Sequence, residues 1–287
     1  MDAASQARPD DLLLRHELAM SLAIARRGAG DPTSASVAYG EAARLAEALG
    51  NIERFAEAVI GYAQVAVSTN VQLDEVIQLL ERALASVPPG EGRLRARLLA
   101  GHGSAISFTD QQRGLAMQRE AVAMAERLAD VPLLAETITA LCWGSMGSGY
   151  ADDPDQPARR LWAVAEQVGS AELQLLARAY AGVDALVDGD LAALDSALAD
   201  VARLADGIRA PFYHYAPTFI RAARAMHVGD YARAELLAER ARAIGRRGDL
   251  IDAERVYTMA FIPLPRIAAI SSRSSCAEDS DTGLSEM

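Results

Sequence analysis

Lysine is absent: all 28 basic residues of this 287-residue chain are arginine. That removes a Walker-type phosphate loop, Schiff-base chemistry and a kinase-type ATP site, each of which needs a lysine ammonium. Cysteine is nearly as scarce. Cys142 and Cys276 are too few for a disulfide framework, and neither belongs to a CxxC pair. Cys142 sits in the apolar run Ala140-Leu141-Cys142-Trp143 and reads as a core residue ahead of a reactive thiol. Only four histidines occur, His16, His102, His214 and His227, none in HxxxH or HExxH spacing, so no metal motif is present. There is no GxSxG, and Asp152-Asp153-Pro154-Asp155 lacks the alternating ligands and closing glutamate of a calcium loop. No apolar run approaches the ~20 residues a membrane-spanning helix needs.

Positive charge is also in deficit. A formal net charge of −11 opposes binding to nucleic acid, which favours a basic face, and disfavours docking on anionic lipid. The N-terminal Met1-Asp2-Ala3-Ala4-Ser5-Gln6 lacks the basic-then-apolar pattern of a secretion signal. The chain is therefore expected to be cytoplasmic, with no membrane partner, no direct nucleic-acid partner and no cofactor.

What the chain does have is alanine, about a fifth of all residues, within a composition that is 51% hydrophobic. Such a chain is too apolar for disorder, and its alanine richness favours helix. Ile52, Phe55, Ala56, Val59, Ile60, Ala63 and Ala66 fall on one face of a 3.6-residue helix, and Leu173, Leu176, Ala177, Tyr180, Val183 and Val187 repeat that stripe. No segment alternates as a strand would. Turn signals recur at Gly30-Asp31-Pro32, Gly50-Asn51, Pro88-Pro89-Gly90, Asp152-Asp153-Pro154, Gly189-Asp190, Gly229-Asp230 and Gly248-Asp249.

These turns have a period. A 0-3-7-10 pattern of apolar or glycine positions starts at residues 35, 73, 114, 158, 191 and 231, and the helices carrying it end near Gly50, Gly90, Asp130, Gly169, Gly207 and Gly248. Six hairpins of about 40 residues account for Asp10 to Gly248. A hairpin of that size cannot bury its own apolar faces, so neighbours must stack. The predicted fold is all-α: a right-handed superhelical array of about six antiparallel helix hairpins, with small residues at the crossings and one concave surface. A single globular α-bundle is the rival, and it has no need of a fixed period. The expected organisation is a flexible segment over 1–9, a repeat domain over 10–262 and a disordered tail over 263–287.

Gly229-Asp230-Tyr231-Ala232-Arg233-Ala234, followed by Glu239-Arg240-Ala241, resembles the turn and second helix of a tetratricopeptide repeat. Two longer pieces, Ala42 to Asn51 running into Glu53 to Gln64, and Ala225 to Tyr231 with Leu237 to Ala241 and Ile244 to Asp249, resemble the repeat regions of large bacterial regulators. Those regulators join an AAA-type ATPase or adenylate-cyclase domain, helical repeats and a LuxR-type DNA-binding domain. The resemblance implies a non-enzymatic, protein-contacting regulatory module. It also implies a truncated, split or stand-alone relative, because a further repeat is expected where Pro263-Leu264-Pro265 stands. The apolar helix around Ile251, Phe261 and Ile262 would then leave an uncovered end through which copies self-associate.

One aromatic concentration stands out, Pro211-Phe212-Tyr213-His214-Tyr215-Ala216-Pro217. It reads either as the opening turn and hydrophobic staple of the next helix or as an aromatic patch gripping a peptide or small effector. Phe212, Tyr213, His214 and Tyr215, with Tyr180 and Asp184 from the helix near 173–187, are the candidate contact residues. No catalytic or metal residue is expected. The partner is a protein or peptide; the alternative is a small effector held in the groove, which a tight apolar pocket would favour over a shallow trench. Two arginine pairs, Arg159-Arg160 and Arg246-Arg247, are read at helix ends where cations suit the C-terminal dipole.

Overall fold

A computed structural model describes residues 9–29, 31–69, 73–107, 109–146, 156–205 and 211–247, excluding the side chains of 9, 10, 67–69, 211–214, 216 and 247. Among these residues there are twelve helices and no strand: α1 (Pro9–Gly28), α2 (Pro32–Ala48), α3 (Ile52–Thr69), α4 (Leu73–Ser86), α5 (Arg93–Ile106), α6 (Gln111–Arg127), α7 (Val131–Ser145), α8 (Pro157–Val168), α9 (Ala171–Asp188), α10 (Leu191–Ala205), α11 (Pro211–His227) and α12 (Tyr231–Arg247). Cys276, the acidic segment 152–155 and the expected half-hairpin and tail from Gly248 onward lie outside the described residues.

The predicted period is the period of the even-numbered helices. All but five of the 24 template positions are buried, and only Val168 is exposed. Alanine dominates this stripe: Ala35, Ala42, Ala83, Ala121, Ala165 and Ala234 have no measurable exposure, so the helix backbones approach closely. α1–α10 form one compact unit and α11–α12 a second. In the first unit each helix packs on the next, and α3 on α5, α5 on α7 and α7 on α9 also pack, while no comparable packing joins the even-numbered helices. The odd-numbered helices are thus the tight inner layer of an α-solenoid. The second unit is one further hairpin, closed around Ala222, Ala225, Ala234 and Ala238.

The turns show why the chain breaks where it does. At Gly50, Gly169, Gly189 and Gly229 the backbone enters the left-handed region, which glycine adopts without penalty. The next residue's N–H reaches back five residues to close the helix end, as Asn51 N donates to the Ala46 carbonyl at 3.0 Å. That same residue caps the following helix: Asn51, Ser170, Asp190 and Asp230 each accept from the N–H three residues on. Ala129 occupies the glycine slot between α6 and α7, with φ 51°, ahead of the cap residue Asp130.

Two expectations need correction. Val187 of α9 is 53% exposed, whereas Leu175, Gly182 and Ala185 are buried. α9 packs against α7, α8 and α10, so its covered surface is broader than one stripe and rotated from the one read. Arg159 and Arg160 lie in the first turn of α8, the positive end of its dipole, where Arg160 is held by Glu126 across the turn to α6. Arg246 does sit in the last turn of α12.

Candidate functional site

A groove of about 350 Å³ runs across the inner layer of the first unit and touches four successive odd-numbered helices. α3 contributes Ile60 and Gln64, α5 Arg97, Ala100, Gly101 and Ser104, α7 Glu136, Thr139, Ala140 and Trp143, and α9 Tyr180. The floor is low because its residues are small. Gly101, whose missing side chain would point toward Leu80 and Ala63, belongs to a continuous α5.

Arg97 is the electrostatic centre of this surface. Its Nε lies 3.0 Å from both carboxylate oxygens of Glu136, and its Nη1 donates to Glu57 Oε2 at 2.6 Å. With only 18% of the side chain exposed, burial works against the charge, but Glu136 and Glu57 together outweigh it and raise the guanidinium above its ordinary pKa. Gln64 donates to Glu136 Oε1 at 3.3 Å and accepts from Arg27. The chain Arg27–Gln64–Glu136–Arg97–Glu57 thereby crosses α1, α3, α5 and α7.

Beneath the floor lies Gln118 of α6, fully buried, whose amide donates to Ser104 Oγ at 3.0 Å and to the Ala140 carbonyl at 2.8 Å. Glycines make its room: a methyl on Gly144 would stand 2.1 Å from Gln118 Oε1, and one on Gly103 2.7 Å from its Cγ. Gln118 fixes α5 against α7 and so sets the spacing of the two central walls.

The predicted residues divide. Tyr180 lines the groove. Asp184, one turn on, is not a lining residue; Gln156 donates to it at 3.0 Å, and its partial burial raises its carboxyl above the usual range. Cys142 is buried with its thiol pushed up by burial and by Asp184, which is the core role read for it. Tyr215 belongs to α11 in the second unit and stacks on Phe219 at a centroid distance of 6.2 Å. Phe212, Tyr213 and His214 lie in the opening turn of α11, but their side chains are outside the described residues. His16 and His102 are buried, and His227 is exposed.

Sequence reasoning missed Arg97, Glu136, Glu57 and Gln64. A signal was available: Glu57, Arg97 and Glu136 are separated by 40 and 39 residues, one repeat each. Trp143 was absorbed into the apolar run beside Cys142. Among the described residues no group of side chains could hold a metal ion, and no helix is long and apolar enough to cross a membrane.

No family model and no curated protein matches this sequence. In structure, the chain is similar to a Rap protein crystallised in complex with Competence and Sporulation Factor, at 13% identity, covering 90% of this chain and 76% of that one, with a TM-score of 0.65. At that identity the likeness shows the fold, an array of helical repeats.

Proposed function

We propose that the chain is a non-catalytic helical-repeat module that holds an extended peptide or protein segment across α3, α5, α7 and α9. The groove's spread over four helices carries this reading. Adjacent helices stand roughly 8–10 Å apart, so four of them span on the order of 25–30 Å, the length of about eight extended residues. The groove's volume of about 350 Å³ would also take a small effector, so it is the spread across four helices that favours an extended segment. The small-residue floor leaves room for a backbone, Trp143 and Tyr180 offer flat apolar contact at one end, and the Arg97–Glu136 pair presents charge at the other. That a protein of the same fold is described in complex with Competence and Sporulation Factor supports a partner-holding role.

The likeness of Ala42–Asn51 and Ala225–Ala241 to the repeat regions of LuxR-type, ATPase-linked regulators supports a cytoplasmic regulatory setting. The contact residues are then Tyr180 with Trp143, and Arg97 with Glu136. Phe212, Tyr213, His214 and Tyr215 are a second contact patch of the same module, and Asp184, one turn from Tyr180, is held by Gln156.

The test is a display library of extended decapeptides, with hits measured by fluorescence anisotropy. Sequence-dependent micromolar binders are expected, and Trp143→Ala should weaken them about tenfold while circular dichroism is unchanged. A library without binders, or binders indifferent to Trp143→Ala and to a bulky Thr139→Trp, would overturn the assignment.

A further inference from the structure

The first helix is apolar on two opposite faces, and among the described residues only one of them is covered. Leu12, His16 and Ala23 turn into the molecule and are buried. On the other side, Leu14, Leu18 and Leu22 are 58%, 61% and 51% exposed. Their i, i+4, i+8 spacing makes them one continuous stripe, flanked in sequence by exposed Asp11 and Ala25 at its ends. Solvent-facing helix surfaces ordinarily carry polar residues, and an apolar stripe of this kind marks a contact surface.

We propose that this stripe is the interface of an antiparallel homodimer, with α1 packed on α1 of a second copy about a two-fold axis at Leu18. Its residues are self-complementary under that operation: Leu14 meets Leu22, Leu18 meets Leu18, and Asp11 meets Ala25. The charges agree with the same register. Asp11 stands in the first turn, and Arg26, half exposed and only loosely engaged with Asp31 at 3.4 Å, stands in the last. Both lie on the same flank of the stripe, the flank that an antiparallel two-fold brings together, so each Asp11 faces the other copy's Arg26. The two helix dipoles also oppose head to tail. A parallel pairing would set Asp11 against Asp11 and Arg26 against Arg26. A helix of 20 residues is about 30 Å long and offers less surface than the ~800 Å² per partner of a standard tight interface, so the dimer is a weak one. This inference is independent of the groove.

Sedimentation of the full chain between about 5 and 200 µM should show a reversible monomer–dimer equilibrium. Leu18→Glu should lower the dimer fraction about tenfold without changing helicity, since Leu18 is mostly exposed in the monomer. The decisive arm uses charge. Asp11→Arg and Arg26→Glu should each weaken self-association, because each places like charges opposite at both ends. An equimolar mixture of the two should associate again, because both ends of the mixed pair are then complementary, and added salt should diminish that rescue. A wild type that stays monomeric throughout the range overturns the proposal, as does a Leu18→Glu variant that dimerises normally. Mixed variants that associate no better than either alone exclude the antiparallel register.

Discussion

The ring of Tyr39 lies against Gly61, so close that a methyl there would stand 2.2 Å from the ring's Cε1. Tyr39 is buried on α2 and Gly61 sits mid-helix on α3, where glycine ordinarily weakens a helix. Gly61→Ala should therefore destabilise by about 1–3 kcal/mol in urea unfolding, the opposite sign from helix propensity, because the buried ring has nowhere to move. Adding Tyr39→Leu should recover part of that loss; strict additivity of the two changes would show that the contact is not the cause.

Ala129 offers the converse case. It holds the left-handed conformation that glycine supplies at the equivalent turns after α2, α8, α9 and α11. Relief of that strain outweighs the extra chain entropy of glycine, so Ala129→Gly should stabilise by about 0.5–1 kcal/mol, or roughly 2 °C in Tm. A lowered Tm would mean that the Ala129 methyl makes a contact worth more than the strain.

Removing the Arg97 guanidinium leaves two carboxylates, Glu57 and Glu136, without their shared cation. Arg97→Met should cost about 1–3 kcal/mol in denaturant unfolding, because the arginine is mostly buried and hydrogen-bonded to both partners. Arg15→Ala, which breaks an ion pair with Glu41 at a solvent-exposed position, should leave the midpoint unchanged. Equal effects at the two positions would remove Arg97 from the centre of the inner layer.

Acid should destabilise the first unit before its carboxylates titrate. Burial lowers the pKa of both His102 and His16 below 6.5; Glu81, 3.9 Å from His102 Nε2, offsets this only in part. The unfolded chain then binds more protons than the folded one as pH falls through 6.5, so stability present above that pH is progressively lost below it. Asp184, whose carboxyl is raised by burial, works in the opposite sense at lower pH. The urea midpoint should fall between pH 7 and pH 5, and His102→Met should flatten that slope. An unchanged slope in His102→Met would assign the effect elsewhere.

The even-numbered helices were legible in the sequence because each buries one narrow stripe, so a single residue pattern repeats at the structural period. Of the odd-numbered helices α3 was legible, with Phe55, Ala56, Val59, Ile60, Ala63 and Ala66 buried and only Ile52 of its stripe exposed, whereas α9 was not. α9 contacts three neighbours, and in an alanine-rich helix every face looks equally suited to burial, which is how Val187 was placed inside and Leu175 passed over. The groove was legible only through Tyr180, because its polar members are ordinary arginines, glutamates and glutamines. What sets Arg97 apart from Arg95, which donates to the Leu84 carbonyl, is the pair of glutamates 39 and 40 residues away. Sites assembled between repeats become visible when charges are compared at the repeat spacing rather than along one helix.

That spacing also bears on how the chain acquires its structure. The ion pairs Arg54–Glu17, Arg97–Glu57, Arg127–Glu91, Arg97–Glu136 and Arg160–Glu126 each join residues 34 to 40 apart. A helix pair leaving the ribosome thus finds its partners on the pair made immediately before it, and the first unit can be assembled in the order of synthesis. Its formation is mainly a sequence of short loop closures, each about one hairpin long, with the Gln64–Glu136 contact two repeats apart closing later.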